Sequence, residues 1–470
     1  MTLSFRYLFA ALTTAWLVPA QAASDSTPDP TFAATATDSP IGWRRSYQAG
    51  GGTQDERVVA ARRAPDGGYV LAGKIAGGGA GSKIFLHKVR SDGSNDPSFG
   101  TSGRIVKDAF LSTVADMTID AQGRIIVIGS TPGALGQPDF GIVRFASNGA
   151  DDPSFAGDGG TSIAFDLDAG HSRVADIPGG VATLPDGSIF VVGLTQDETS
   201  GTAITPIGLV KLKPDGSRDT TYSNTGNGTS VYCRAQCSNV VSIARLVYDA
   251  PRNRLVIGGD FVQATNNTDW FLITQGLGSG EPSQTFAYAI DRGTAGGYPL
   301  DYMRGVAVQA DGKILASGYT TLQTLEVRGV ILRRDAGGVG EDTTFGNTSG
   351  RGLYVSPNDA TIYNDVAVDG LGRIIVAGEN AATRRGLVRR LTAFGGTPDS
   401  SFNAGAEALF AANQSNATTP SYSTMFRRVF MDGGKPVLAG ESPDSSTANT
   451  DYDMVLMRLD SDLIFANGFQ

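Results

Sequence analysis

Residues 66–73 read Asp66-Gly67-Gly68-Tyr69-Val70-Leu71-Ala72-Gly73: a turn, a run of strand formers and a closing glycine. The same hairpin half returns at 123–129, 187–193, 253–259, 312–318, 372–378 and 434–440. The seven closing glycines stand at 73, 129, 193, 259, 318, 378 and 440, so copies recur every 56 to 66 residues. A period on this scale marks a repeat architecture rather than two or three unrelated domains in a chain of 470 residues. The first turn position is glycine six times and asparagine once, at Asn253. These are the residues that enter left-handed backbone at least cost, so a tight turn is expected in every copy.

Around each turn lie strand formers, as in Val306-Ala307-Val308-Gln309 before it and Lys313-Ile314-Leu315-Ala316 after it. A third strand is expected at 83–89, 140–145, 208–212, 270–274, 330–333, 387–391 and 454–459, and a fourth candidate, such as Gly103-Arg104-Ile105-Val106, precedes the hairpin. Four antiparallel strands per unit and no helical periodicity predict an all-β, seven-bladed β-propeller. An open solenoid is the alternative.

A second marker follows the third strand: Asp96-Pro97-Ser98-Phe99, Asp152-Pro153-Ser154-Phe155, Asp219-Thr220-Thr221-Tyr222, Asp342-Thr343-Thr344-Phe345, Asp399-Ser400-Ser401-Phe402 and Asp462-Leu463-Ile464-Phe465. The fourth unit carries a degenerate version, Ser283-Gln284-Thr285-Phe286. Phe99, Phe155, Tyr222, Phe286, Phe345, Phe402 and Phe465 are therefore assigned to seams between blades, each buried ring contributing about 1.5 to 3 kcal/mol. A base ends the third strand, as Lys88, Arg144 and Lys211, with Arg334, Arg390 and Arg458 at shifted or nearby spacing. Both charges are missing from the fourth unit, so Arg144 and Asp152, with their equivalents, are expected to close the turn as a charge-assisted pair. An extra marker, Asp29-Pro30-Thr31-Phe32, stands alone ahead of Trp43, near which the first blade is expected to begin. In a closed ring Phe32 and Phe465 compete for one place, and one terminus seals the last seam.

The combination is clearest in Lys211-Leu212-Lys213-Pro214-Asp215-Gly216-Ser217-Arg218-Asp219-Thr220-Thr221-Tyr222, which resembles the bacterial delta-60 repeat family over roughly residues 29–466. The resemblance implies a propeller-like β-repeat domain in exported or surface proteins, with no general activity or cofactor attached to the repeat.

Residues 1–22 carry Arg6, an apolar run and Ala20-Gln21-Ala22, the pattern of a secretory signal peptide cleaved before Ala23. The run is shorter than a bilayer span needs, and no later stretch is apolar enough to cross. The organisation expected is signal peptide at 1–22, an N-terminal segment with the extra marker at 23–41, and the propeller at 42–470. A net charge of −9, or −10 once Arg6 is removed, argues against nucleic acid or anionic membrane as partner. Cys233 and Cys237 are the two cysteines, read as a local disulfide in an exported chain, with a metal or redox pair as the competing reading.

The repeat motifs all fall on one face of such a ring. The long, dissimilar segments 48–56, 166–180, 230–240, 292–303, 356–364 and 411–422 fall on the other, with 194–206 and 441–453. Variable loops on a rigid scaffold are where binding concentrates. Tyr232, Tyr298, Tyr302, Tyr363, Tyr422, Tyr452 and His171 are the candidate contacts there. Gly-x-Ser-x-Gly and His-Glu-x-x-His motifs are absent, and His87 and His171 are the only histidines, so no catalytic residue is assigned. No cofactor is expected. Aspartate-rich turns at 92–96 and 215–219 offer oxygen to calcium, but turn chemistry also explains them. The sequence points to an exported, non-catalytic binding or scaffold module for a protein, peptide or glycan. The alternatives are a propeller hydrolase or lyase working on a polysaccharide through a pair of loop acids, and a calcium-dependent surface protein.

Overall fold

The computed structural model describes residues 26–34, 42–46, 55–76, 83–107, 110–133, 136–165, 175–196, 204–222, 227–232, 239–264, 267–278, 282–288, 300–321, 326–338, 340–348, 350–411, 423–443 and 452–460. The expected signal peptide, His171, Cys233, Cys237, Tyr298, Tyr422 and Phe465 lie outside them. Among the described residues every regular element is a β-strand, apart from the 3-10 turns Ala250–Arg252 and Asn403–Gly405.

The hairpin repeat folds as its turn chemistry requires. Gly67 takes φ +87° while Gly67 N donates to Ala64 O and Ala64 N to Gly68 O. Asn253, the exception in sequence, adopts the same hand at φ 49°, ψ 50°. A typical unit runs Asp116–Ile119, Ile125–Pro132, Pro138–Phe145, Gly160–Ile163, paired antiparallel in that order. Ile125–Pro132 is buried through its first seven residues, as an inner strand covered on both faces must be. Five sheets have four strands. A sixth has eight, because two such meanders, Val240–Asp249 to Pro282–Tyr288 and Leu300–Val308 to Leu353–Val355, share one parallel pairing of Thr268 with Leu300.

Two expectations shift by one strand. Arg104–Lys107, read as preceding its hairpin, is the outer strand of the sheet before it, paired with Lys83–Val89. Trp43–Ser46, where the first blade was expected to begin, instead pairs with Tyr452–Arg458 and completes the last sheet. The marker is therefore the link from third to fourth strand within a unit. In the fourth unit there is no such link: Ser283 to Phe286 lie inside the outer strand Pro282–Tyr288, with Phe286 opposite Leu272.

The first strands stand side by side around an axis. Asp55–Arg63 touches Asp116–Ile119, and the contacts run on through each first strand to Met425–Asp432, which touches Asp55–Arg63 again. The chain thus forms a closed ring, not an open solenoid. The apolar core is divided accordingly into clusters, each filling the gap between consecutive sheets. The cluster of Phe32, Tyr69, Leu71, Phe85, Val437, Ala439, Met454 and Leu456 joins the last sheet to the first.

The closing glycines have a common cause. The register slips by one residue between Val58 and Ala60, Pro178 and Gly180, Ile243 and Arg245, Met303 and Gly305, Tyr363 and Asp365, and Phe426 and Arg428. Such a bulge bends the strand and re-aims side chains. It also drives a carbonyl against the neighbouring strand: a Cβ on Gly378 would lie 1.8 Å from Ile362 O. The extra residues, Val59, Gly179, Ala244, Arg304, Asn364 and Arg427, line the channel.

Candidate functional site

The bulges build the mouth of the axial channel on the variable-loop face. A cavity of about 420 Å³ opens there, lined by the six bulge residues together with Ser242, Met303, Tyr319, Glu379 and Arg428. A second cavity of about 440 Å³, lined among others by Arg62, Arg245 and Asp365, lies on the hairpin-turn side. A layer of charge divides them. Arg62 Nη2 stands 3.0 Å from Asp116 Oδ1, and Arg245 bridges Asp116 at 3.5 Å and Asp365 at 2.8 Å. Arg428 adds a third guanidinium, pushed down to about 9 by burial and by Arg245, with Asp365 and Asp116 opposing.

Around the mouth, Tyr302 and Tyr319 pack in a tilted pair with centroids 5.2 Å apart, and Arg304 lies 5.7 and 5.4 Å from their rings. Arg427 pairs with Glu441 at 2.7 Å. Burial raises the Glu379 carboxyl, Arg427 opposing and Glu441 adding. Asp260 is fully buried and pushed up to about 7 by that burial, although Ser242 Oγ and Met303 N both donate to it, at 2.6 and 2.7 Å.

The opposite face is a belt of latches. Lys88 stands 3.2 Å from Asp96, Arg144 2.8 Å from Asp152, Lys211 2.9 Å from Asp219, and Arg390 2.8 Å from Asp399. Asp342 is held at 2.9 Å by Arg333 rather than by Arg334, the residue expected, because one more residue fills the turn there. Each guanidinium lies over its own marker ring, Arg144 at 4.6 Å from Phe155. Arg144 and Arg333 also cross to the next unit: Arg144 donates to Pro214 O, and Arg333 to Ala393 O at 2.6 Å. Beneath it the ring packs against a turn glycine of that unit, Phe155 under Gly216 and Phe99 under Gly149. At the last seam the N-terminal marker does this work. Asp29 is 2.8 Å from Arg458, Arg458 donates to Ser91 O at 2.6 Å, and Phe32 packs under Gly93. The fourth unit, without marker or base, uses Arg254, which holds Asp249 at 2.8 Å and donates to Ala336 O at 2.7 Å.

Three stretches, 122–155, 184–222 and 372–402, match the model of a family described as a domain of unknown function (DUF5122) beta-propeller. The fold is a β-propeller. The matched stretches each run from a hairpin turn to a marker aromatic, and they support a propeller-like repeat family. No curated protein matches the chain. Among solved structures, an α-L-arabinanase of Penicillium chrysogenum complexed with arabinobiose is 10% identical, with 73% of this chain and 92% of that one covered at a TM-score of 0.42. A Hadza microbial sialidase is 10% identical over 84% and 74% at 0.40, and a glucose dehydrogenase 11% identical over 88% and 99% at 0.36. At these scores the likenesses carry no argument about substrate.

Of the candidate contact residues, the propeller places Tyr302 and Tyr452 half-buried on the variable-loop side, Tyr452 with Arg57 4.9 Å from its ring. Tyr363 and Tyr232 are core residues instead. Tyr363 is fully buried with its hydroxyl 3.2 Å from Glu407, and Tyr232 is buried with its hydroxyl 3.5 Å from Tyr222. Strand alternation turns both rings into a seam. Phe99, Phe155, Tyr222, Phe345 and Phe402 are all buried in seams. Asp92 and Asp215 each accept the amide and hydroxyl of the serine two residues on, the ordinary chemistry of such turns. Sequence reasoning missed the channel residues Arg62, Asp116, Arg245, Arg304, Asp365 and Arg428. Their signal was charge inside first strands that otherwise read as apolar.

Proposed function

We propose that this chain is an exported, non-catalytic binding propeller of seven blades, of the delta-60 repeat type, that captures a protein, peptide or glycan at the variable-face mouth of its channel. The observation that carries the reading is the mouth itself. A rigid ring of bulges there gathers an aromatic pair, a cation over it and a cavity of about 420 Å³, within the range of ligand pockets. The motif face, by contrast, is occupied with holding units together. Seven hairpins, with the eight-stranded sheet counted as two blades, support the blade number, and residues 1–22 support export. Residues 42–470 would then be the propeller, with Asp29 and Phe32 of the segment before it serving the last seam.

The test is a thermal-shift screen of glycans and peptides on the purified protein, repeated with Tyr319→Ala and with Leu371→Ser, a change at an exposed turn on the motif face. Stabilisation lost in Tyr319→Ala and kept in Leu371→Ser is expected. A shift that survives Tyr319→Ala and disappears in Leu371→Ser would place binding on the wrong face. One observation favours an enzyme as second reading: Glu379 is a cavity-lining carboxyl with raised affinity for its proton, as a general acid needs. Release of reducing ends from a polysaccharide by the wild type, abolished by Glu379→Gln, would favour it over pure binding.

A further inference from the structure

We propose that the mouth cavity binds a carboxylate group, carried by a small organic acid or an acidic sugar, with Arg428 at its floor and Arg304 at its rim. This rests on the reading of the mouth as a binding site and adds the chemistry of what enters it. In the dividing layer three guanidiniums face two carboxylates, and the carboxylates are largely engaged. Asp365 accepts Arg245 on Oδ1 at 2.8 Å and the amide of Val429 on Oδ2 at 3.1 Å. Asp116 Oδ1 accepts both Arg62 and Arg245. Its Oδ2 has no hydrogen-bond partner among the described residues, yet Arg428 does not take it. Arg428 forms no ion pair among the described residues. Its Nη1 donates to Arg427 O at 2.9 Å, and its buried Nε has no partner. A buried charged donor without an acceptor is costly, and an anion arriving from the cavity that Arg428 lines would supply one.

The rim repeats the pattern. Arg304 is exposed, has no carboxylate within ion-pair distance among the described residues, and is held over Tyr302 and Tyr319. Two guanidiniums thus line one cavity without an ion pair among the described residues, while Arg427, the neighbour of Arg428 on its strand, is occupied by Glu441. Glu379 is the opposing group in the lining. Burial raises its affinity for a proton, Arg427 opposing, so taking up a proton as the anion enters is less costly there than for an exposed carboxylate. A planar, singly charged anion fits best. It matches the guanidinium fork, whereas a phosphate dianion would bring a second negative charge toward a lining that already holds the Arg427–Glu441 pair.

Calorimetric titration of the purified protein with galacturonate and lactate, against galactose and inorganic phosphate, tests this. Both carboxylates should bind, galactose at least about 10-fold more weakly than galacturonate, and affinity should fall with added salt. Arg304→Gln should weaken galacturonate about 10-fold while Glu379→Gln leaves it equal or tighter. Arg304 is exposed, so its variant folds even if Arg428→Gln does not. Equal affinity for galactose and galacturonate, phosphate binding as tightly as either carboxylate, or indifference to Arg304→Gln would overturn the inference. Neutral ligands that bind and are lost in Tyr319→Ala would leave the mouth reading standing without this chemistry. If none of these ligands and none of the wider panel binds, both fall.

Discussion

Gly378 shows what a single position decides in this ring. With no side chain it lets Ile362 O come to where a Cβ would lie 1.8 Å away, and that approach is the bulge that turns Asn364 into the channel. Gly378→Ala is therefore expected to destabilise the protein by about 2 to 4 kcal/mol in chemical denaturation, since the obstructing atom is backbone. An unchanged midpoint would remove the bulge from the account. His87 makes a second prediction. It is fully buried, its Nε2 is 3.1 Å from Asn95 Oδ1, and burial, helped by Arg104, lowers it to about 3. A depressed histidine binds its proton more readily in the unfolded chain, so its contribution is complete above about pH 6.5 and is lost as pH falls toward 3. Asp260, raised to about 7, contributes the opposite slope over part of that range. The difference between wild type and His87→Gln should isolate about 1.4 kcal/mol per pH unit between pH 4 and 6, and parallel stability curves would contradict it.

At the scale of the element, the latch joins a third strand to its own marker and to the next unit. Arg144 is almost fully buried with Asp152, and it also serves Pro214 O and Ser154 Oγ. Removing the base leaves a buried carboxylate and a carbonyl without their donor, so Arg144→Met should cost about 3 to 5 kcal/mol. The double variant with Asp152→Asn should cost less than the sum of the two single changes. Strict additivity in urea denaturation would mean the pair is not coupled. The latch was legible in sequence because it repeats: base, aspartate and aromatic recur at nearly fixed spacing, and their joint loss in the fourth unit pointed to a pair. What was not legible is the replacement. Arg254 comes from a different strand and reaches Ala336 O, a contact with no repeating counterpart to expose it. The choice of Arg333 over Arg334 was hidden likewise, since one added turn residue moves the spacing without changing the composition.

The whole molecule is a ring whose two ends meet, and the channel exists only if they do. Trp43–Ser46 pairs with Tyr452–Arg458, Trp43 packs beside Phe410 and Phe426, and Phe32 fills the gap to the first sheet. The repeat period announced the strands, and the spare marker at Asp29 to Phe32 announced that a terminus seals the seam. The phase of the blades was not announced, because a fourth strand lying between two hairpins fits either neighbour until its hydrogen bonds are known. The mouth was hardest to read, since residues such as Arg304 and Arg428 stand about 120 positions apart and come to line one cavity only when the ring forms. Closure is also acid-sensitive. Burial would raise Asp29, but hydrogen bonds from Lys435 and Thr31 and the charge of Arg458 hold it at about 2. Its contribution is complete above about pH 4 and lost as pH falls through about 2.

Hydrogen exchange on the intact protein at neutral pH, read by mass spectrometry, tests closure most directly. If the ring is closed, the peptide containing Trp43–Ser46 will exchange as slowly as the one containing Tyr452–Arg458, its partner in the last sheet. If Trp43–Ser46 exchanges within seconds while Tyr69–Ala76 and Tyr452–Arg458 remain protected, the N-terminal strand does not close the ring, and the channel mouth built on that closure does not stand.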